Sequence, residues 1–488
     1  MFSTRGGSLG QRDSHEKMRF RTVTLGCKVN QYETQWLRAA FLANGWEEAE
    51  EDAAPEEVDL VLVNTCSVTA ESDAKSRKTI AHFGKLYPRA ELVVTGCYAA
   101  SAPDAAAKLP HVSEVVSDKR LLADFLERRG LVNIPSGVKG LAERHRAYVK
   151  VQDGCRVGCA YCIIPTTRPY LKSRPIADVV REARDLADAH YREIVLTGIH
   201  LGHYGLDFCP MTPDERARVA AGETPPDSAG NARKLTLADY LARQALTPVE
   251  DRVDLAQLLR ALTELNLPNM RYRLGSLEAV EVSDAMLAVF EARPDALCPH
   301  FHLSMQSGDD EVLAAMKRRW LSGPYIAKCE EICARIPDAA LTTDVIVGFP
   351  GESDANFQRT CDVVRKLNFS RVHVFRYSAR PGTVAASMPN QIPEPIKKER
   401  VKELIRIAKE EREKFARKFV GRNARMIVED FVCDGNEKFA KGTTDRYYEA
   451  LVPIGGVAKQ IEIAPGDVLN IVLRGLQGDV FTAEPAQS

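Results

Sequence analysis

Cys155, Cys159 and Cys162 fall in one short run, DGCRVGCAYCIIP, and no other spacing in this 488-residue chain is as chemically specific. Three thiolates on one loop can hold three irons of a four-iron cubane, which leaves the fourth iron open to a non-protein ligand. An open iron is a catalytic feature. A structural zinc site instead needs a closed set of four ligands in paired spacing. No nearby Cys or His completes such a set, so the pattern favours iron and sulfur over zinc.

Three more cysteines share a second regularity. Short apolar, β-branched runs at Thr22–Leu25, Leu60–Val63 and Leu92–Thr95 lead into Cys27, Cys66 and Cys97, and the segments Thr34–Asn44 and Ala70–Leu86 between them have helical spacing. This alternation predicts a parallel sheet from about residue 20 to about 130. Ligands of open parallel sheets bind beyond the carboxyl ends of the strands, so the three cysteines would line one sheet edge as a second set. The alternative of three buried structural cysteines is opposed by the recurring strand-end position, with Gly beside two of the three. Cys209, Cys298, Cys329, Cys333, Cys361 and Cys433 share no such pattern and receive no function; Cys329 and Cys333 read as packing on one helix face.

The elements that position the first set follow a linker near 130–146. Strand-like runs recur at Ala147–Val151, Glu193–Thr197, Met270–Leu274, Phe301–Met305, Leu341–Val347 and Arg371–Phe375, with helical segments between them. Six such strands fit a partial barrel better than a closed eight-stranded one. Active sites of these barrels gather at the C-terminal strand ends. There the cysteine loop follows the first strand, TGIHLG (Thr197–Gly202) follows the second, and DVIVGFPGE (Asp344–Glu352) ends the fifth. Gly348 and Gly351 permit close backbone approach to a ligand.

Lys and Arg number 66 against 67 Asp and Glu, so a polyanionic partner would have to meet a local basic patch. Residues 1–18 lack an apolar signal region, and no long uncharged apolar stretch occurs anywhere, which predicts a cytoplasmic protein with a disordered tail and no membrane span. Gly205–Asp254 is rich in Pro, Ala and charge and predicts a mobile insertion loop, about 206–252. Ile396–Arg422 predicts a charged helix with eleven Lys and Arg against five Glu, a solvated face whose basic excess suits phosphate. Beyond Gly421, the runs RMIVEDF, YYEALVPI, QIEIA and DVLNIVLRGL predict a small antiparallel barrel of a type that often holds single-stranded RNA.

With Tyr161 just before its last cysteine, the loop resembles the signature of radical S-adenosylmethionine (radical SAM) enzymes, and GFPGE resembles the strand that packs on SAM's adenine in them. A three-cysteine domain (19–132), a core (147–395), a basic linker helix (396–420) and a TRAM-like barrel (421–485) together resemble a methylthiotransferase, apart from the insertion, from which that family departs. The words TLGCKVNQYETQ (Thr24–Gln35), NTCSVTAESDAKSRK (Asn64–Lys78), TGCYA (Thr95–Ala99), RLGSLE (Arg273–Glu278), HLSMQSGDDEVL (His302–Leu313) and YSARPGTVAASM (Tyr377–Met388) resemble the branch acting on N6-threonylcarbamoyladenosine. The isopentenyladenosine branch typically has GCQMN where Gly26–Asn30 read GCKVN.

The resemblance implies an α/β protein: an N-terminal parallel-sheet domain, a partial (β/α)6 radical SAM barrel and a C-terminal antiparallel β-barrel. It implies two 4Fe-4S clusters, on Cys27/Cys66/Cys97 and on Cys155/Cys159/Cys162, all six cysteines being catalytic. SAM would be held by Tyr161, Thr197, Gly198, Gln306, Gly348, Gly351 and Glu352. Carbon C2 of an adenine is unactivated, so replacing its hydrogen calls for a radical, which reductive SAM cleavage at the core cluster would supply while the second cluster carries the sulfur. The implied partners are the anticodon stem-loop of a tRNA, modified at position 37, and an electron donor such as flavodoxin or ferredoxin. A ribosomal-protein methylthiotransferase would share all six cysteines, and a non-enzymatic iron-sulfur RNA-binding protein would not need the GFPGE turn.

Overall fold

The computed structural model describes residues 17–140, 145–221, 235–435, 437–454 and 463–486. The tail expectation for residues 1–16, the middle of the insertion at 222–234 and the start of the QIEIA run lie outside these described residues.

The N-terminal unit is a five-stranded, all-parallel sheet in the order Glu47–Glu48, Arg19–Thr24, Leu60–Thr65, Glu91–Gly96, Val112–Val116. Leu60–Thr65 is buried along its whole length, as expected of a central strand covered on both faces. Helix Lys28–Ala43 covers one face with Leu37, Ala40 and Phe41, and Ala70–Leu86 covers the other with Ile80. Thr69 caps the second helix by accepting a hydrogen bond from the Ser72 amide.

The core carries the six strands expected of it. Arg146–Asp153, Glu193–Gly198 and Arg271–Leu274 pair in parallel, as do His300–Leu303, Ala340–Val347 and Arg371–Arg376. Hydrogen bonds from the Tyr272 amide to Ala296 and from the Cys298 amide to Tyr272 join the two halves into one curved wall. Its outer face is a continuous apolar layer that includes Val149, Leu196, Tyr272, Phe301, Leu341 and Val345. Alternation then sends His302, Asp344 and His373 to the inner face.

The insertion differs from the loop the composition predicts. It carries helices Pro213–Ala220 and Leu237–Leu246, and its Leu206, Leu235 and Tyr240 pack with Leu171 of the core. Buried Arg243 donates to Glu215 at 2.9 Å, which ties the two helices to each other. A short apolar face and one buried ion pair hold the described parts of this segment.

Helix Glu394–Arg417 joins the core to a closed five-stranded barrel built from Asn423–Asp434, Glu437–Thr444, Glu449–Pro453, Val480–Pro485 and Val468–Gln477. All neighbours are antiparallel except Glu449–Pro453 with Val480–Pro485, the parallel pair that closes it. The helix is not uniformly solvated. Lys397, Arg400 and Glu411 are buried, and Leu404, Ile407 and Phe415 face inward. Several exposed bases are neutralised by neighbours, such as Arg406 with Glu403 at 2.7 Å. No helix among the described residues is long and apolar enough to cross a membrane.

Candidate active site

Each member of the N-terminal trio stands just beyond a parallel strand. Cys66 and Cys97 directly follow Leu60–Thr65 and Glu91–Gly96, and Cys27 precedes helix Lys28–Ala43. Gly96 takes φ +102°, and a Cβ there would fall 2.3 Å from the Thr65 amide nitrogen, so only glycine lets the chain turn into Cys97 at this point. Buried Asn30 fixes the arrangement by donating to the carbonyls of Leu25 and Thr65, both at 2.9 Å.

The second trio follows the first core strand. Gly154 has φ +79°, and a Cβ would lie 1.7 Å from the Tyr170 carbonyl oxygen. Gly154→Ala is therefore expected to cost about 3 kcal/mol in backbone strain alone and to collapse the loop. Iron analysis after anaerobic reconstitution checks this: the variant should lose about half of the wild-type iron, since one of two cubanes is affected. Cys155, Cys159, Tyr161 and Cys162 line one cavity at the C-terminal ends of the strands, together with Gln306 and Arg318.

Two cations flank these thiols, and nothing local in the sequence reveals them. Arg318 donates to Cys159 Sγ at 3.4 Å while pairing with Glu278 at 2.8 Å. His200 sets Nδ1 at 3.6 Å from Cys155 Sγ and Nε2 at 2.7 Å from Glu281. Burial disfavours a charge on His200, but Glu281 and Cys155 outweigh it and raise its pKa, so the imidazolium persists at neutral pH. Hydrogen bonds and positive charge at the sulfurs are the usual levers on cluster potential.

The two trios are neighbours across the domain boundary. Helix Cys97–Ser101 packs against Ile164–Thr167, the turn that leaves Cys162. Arg168, next in the chain, donates to Asn30 Oδ1 at 3.0 Å, to Glu33 at 2.8 Å and to Asp153 at 2.6 Å. Burial opposes its charge, yet Asp153, Glu33 and Cys97 hold it cationic. Arg380 adds a second tie, donating to Ser67 at 2.9 Å and Asp73 at 2.7 Å beside Cys66.

The donor sets suit a polynuclear cation. Burial pushes the Cys162 thiol up to about 12, and the Cys159 and Cys155 thiolates push in the same direction. Burial also raises Cys66, with Cys97 and Cys27 adding to it. Three crowded, partly buried thiolates are unfavourable by themselves and become favourable around a metal centre. Of the residues expected to hold SAM, Tyr161 and Gln306 line the cysteine cavity. Thr197 and Gly198 end the neighbouring strand, with Gly198 packed on Gln152 and Leu201. Gly348 lies against Lys397, and Gly351 donates to the Asn390 carbonyl at 2.9 Å. Buried Glu352 accepts from the Gly348 amide at 2.9 Å and from Arg400 at 2.7 Å, which makes it the lock of the GFPGE turn.

Comparison with known proteins agrees with this geometry. Residues 19–117 match a family described as uncharacterized protein family UPF0004, and residues 244–364 match the radical SAM superfamily. A Bacillus subtilis (strain 168) protein named threonylcarbamoyladenosine tRNA methylthiotransferase MtaB is 32% identical over 88% of this chain and 89% of its own length. A Thermotoga maritima protein of the same name is 33% identical over 85% of this chain and 87% of its own. A tRNA-2-methylthio-N(6)-dimethylallyladenosine synthase of Corynebacterium efficiens is 29% identical over 95% of this chain and 84% of its own. Among solved structures, the radical SAM methyltransferase TsrM of Kitasatospora setae matches with a TM-score of 0.51 at 13% identity, covering 76% of this chain and 77% of that one, which speaks to the fold. Near full-length similarity to the Bacillus and Thermotoga proteins, joined to two adjoining three-cysteine sets, places this chain in the radical SAM tRNA methylthiotransferase family.

Proposed function

We propose that this enzyme converts N6-threonylcarbamoyladenosine at position 37, beside the tRNA anticodon, to its 2-methylthio derivative. The observation that carries the reading is the packing of Cys97–Ser101 on Ile164–Thr167, which sets one three-thiol site beside the other. Sulfur delivered from the Cys27/Cys66/Cys97 side then needs no large domain movement to reach a base held in the core. SAM and two 4Fe-4S clusters supply the radical, the methyl group and the sulfur carrier. In this reading the chain's own residues hold and separate those groups: Cys155, Cys159 and Cys162 ligate one cluster, Tyr161 and Gln306 border its cavity, and Arg168 and Asn30 fix its distance from the other.

The threonylcarbamoyl branch is favoured by the motif words of the sequence and by the Bacillus and Thermotoga relatives of that name at 32% and 33% identity, against 29–30% for the dimethylallyladenosine synthases and 29% for a Rickettsia relative of the threonylcarbamoyl name. The target base must leave the loop stack to enter the barrel, a cost of a few kcal/mol that is least in a single-stranded loop. A tRNA substrate places the reaction in the cytoplasm, with a small reducing protein such as flavodoxin or ferredoxin as electron source. Mass spectrometry of tRNA nucleosides from a deletion strain tests the substrate. The 2-methylthio threonylcarbamoyl nucleoside should vanish and its unthiolated precursor accumulate. Loss of the 2-methylthio isopentenyl nucleoside instead would assign the chain to the other branch.

A further inference from the structure

Below the cysteine cavity, the inner wall of the barrel carries a set of groups that cluster and SAM binding leave unused. His302 pairs through Nδ1 with Thr342 at 2.9 Å and through Nε2 with Asp344 at 3.1 Å. Asp344 stands beside His373 in the parallel register, and the His302 and His373 rings lie 5.8 Å apart. Arg371, His373 and Phe375 share this face because Val372 and Val374 turn to the outer core. Phe375 is 45% exposed, so the wall fronts open space. Two residues past Asp344, Ile346 packs in the cluster that contains Ala160 and Tyr161 of the cysteine loop. The wall therefore leads directly to the reaction centre.

Lys28 approaches the same space from the N-terminal domain. It is the first residue of helix Lys28–Ala43, which packs on strands Arg146–Asp153 and Glu193–Gly198 of the core, and from there its charge bears on His300, His373 and Tyr447. Lys28 is half-buried and Arg371 is exposed. Burial, with His302, Arg371 and Lys28, pushes His373 down to about 4 against the pull of Asp344, so at neutral pH it is an uncharged imidazole able to donate one N–H. His302, Asp344 and His373 bring their ligand atoms within 4.8 Å of one another, but His302 already engages the carboxylate and the lysine and arginine charges oppose a cation on this wall. It is suited to an anion that arrives with the substrate.

We propose that Lys28, with His373, forms the specificity site for the carboxylate of the amino-acid substituent on N6 of the target adenine. This rests on the substrate assignment made above. The isopentenyl group carries no charge and gains nothing from these residues, whereas a carboxylate left without them would be buried unpaired. Phe375, exposed on the same face, is placed to cover the substituent or the base.

Binding of three synthetic anticodon stem-loops tests the proposal: threonylcarbamoyl as the free acid, the same group as its methyl ester, and isopentenyl. Wild type should bind the acid about 30-fold tighter than the ester, the combined size of two contacts to one charge. In Lys28→Gln and in His373→Phe the acid-to-ester ratio should in each case fall to about fivefold, because each removes one of two contacts to the charge. A merely structural effect would weaken both ligands equally and leave the ratio standing. His373→Phe lies outside both cysteine sets, so it keeps the test independent of cluster assembly at Cys27. An unchanged ratio in both variants overturns the proposal, as does an equal loss for acid and ester, which would mean that Lys28 meets a backbone phosphate. A wild-type enzyme that thiomethylates the acid but binds acid and ester alike refutes the carboxylate site alone. One that thiomethylates only the isopentenyl stem-loop refutes the substrate assignment and this site together.

Discussion

Cys155→Ala is expected to abolish reductive cleavage of SAM, whereas Cys97→Ala should leave cleavage largely intact and stop sulfur insertion. The two cysteines belong to adjoining but separate trios, one at the end of a core strand and one at the end of a strand in the N-terminal sheet. On the proposed division of labour, radical formation needs only the core trio and delivery of sulfur needs both. Anaerobically reconstituted wild type should hold about eight irons, two cubanes of four, and each variant about half of that. The readouts are 5′-deoxyadenosine formation for cleavage and 2-methylthio nucleoside formation for insertion. The effect on insertion should be essentially complete for either variant, a loss of at least about a thousandfold, because no other residue replaces a cluster ligand. Equal loss of cleavage in both variants, with both folded, would sink the division of labour. So would zinc in place of iron.

Much of this site is legible along the chain because its ligands stand at strand ends. A β-branched run followed by Gly-Cys fixes both the element and the place where it stops, and Ala70–Leu86 is a helix over the span its periodicity predicts. What sequence cannot display is pairing between distant residues. Arg168 reads as an ordinary surface arginine until it meets Asn30, 138 positions earlier, and becomes the clasp between the two trios. Arg318 sits in the run KRRW, which looks like solvated charge, yet its guanidinium touches Cys159 Sγ. Glu352, expected from its place in GFPGE to be a cofactor contact, also has a pairing that the sequence does not display: buried, it accepts from Arg400 on a helix that looks merely basic. The described parts of the insertion differ from the expected loop for a related reason: their composition lacks a strong apolar period, and they are held by Leu206, Leu235 and Tyr240 packing with Leu171 of the core, together with the Arg243–Glu215 pair.

Glu193→Ala should destabilise the enzyme by about 3–5 kcal/mol, because it strands guanidinium groups in the floor of the barrel. Glu193 and Arg271 are each 0% exposed; Glu193 accepts from Arg271 Nε at 2.6 Å and from Arg273 Nε at 2.8 Å. Those same arginines reach outward to the C-terminal barrel. Arg271 donates to the carbonyls of Arg425 and Thr443 at 2.7 and 2.9 Å, and Arg273 to those of Asp445 and Thr444 at 2.9 and 3.0 Å. Ala340 of the core and Phe415 and Phe419 at the end of the linker also belong to the barrel's own apolar cluster. The barrel is therefore a plug as well as a candidate RNA-binding module, and cutting the chain after residue 420 should lower the melting temperature on the order of 10 °C instead of yielding an intact SAM-cleaving core. Burial alone would raise the Glu193 pKa, but Arg273 and Arg271 hold it well below its ordinary 4.5. A depressed carboxyl contributes its full stability above the unfolded value and loses it only as pH falls towards the folded one. The gap in melting temperature between wild type and Glu193→Ala should thus stay constant from about pH 8 to about pH 5. A gap that closed on going from neutrality to pH 5 would show that Glu193 takes up its proton there, and that the arginine floor is held by something other than this carboxylate.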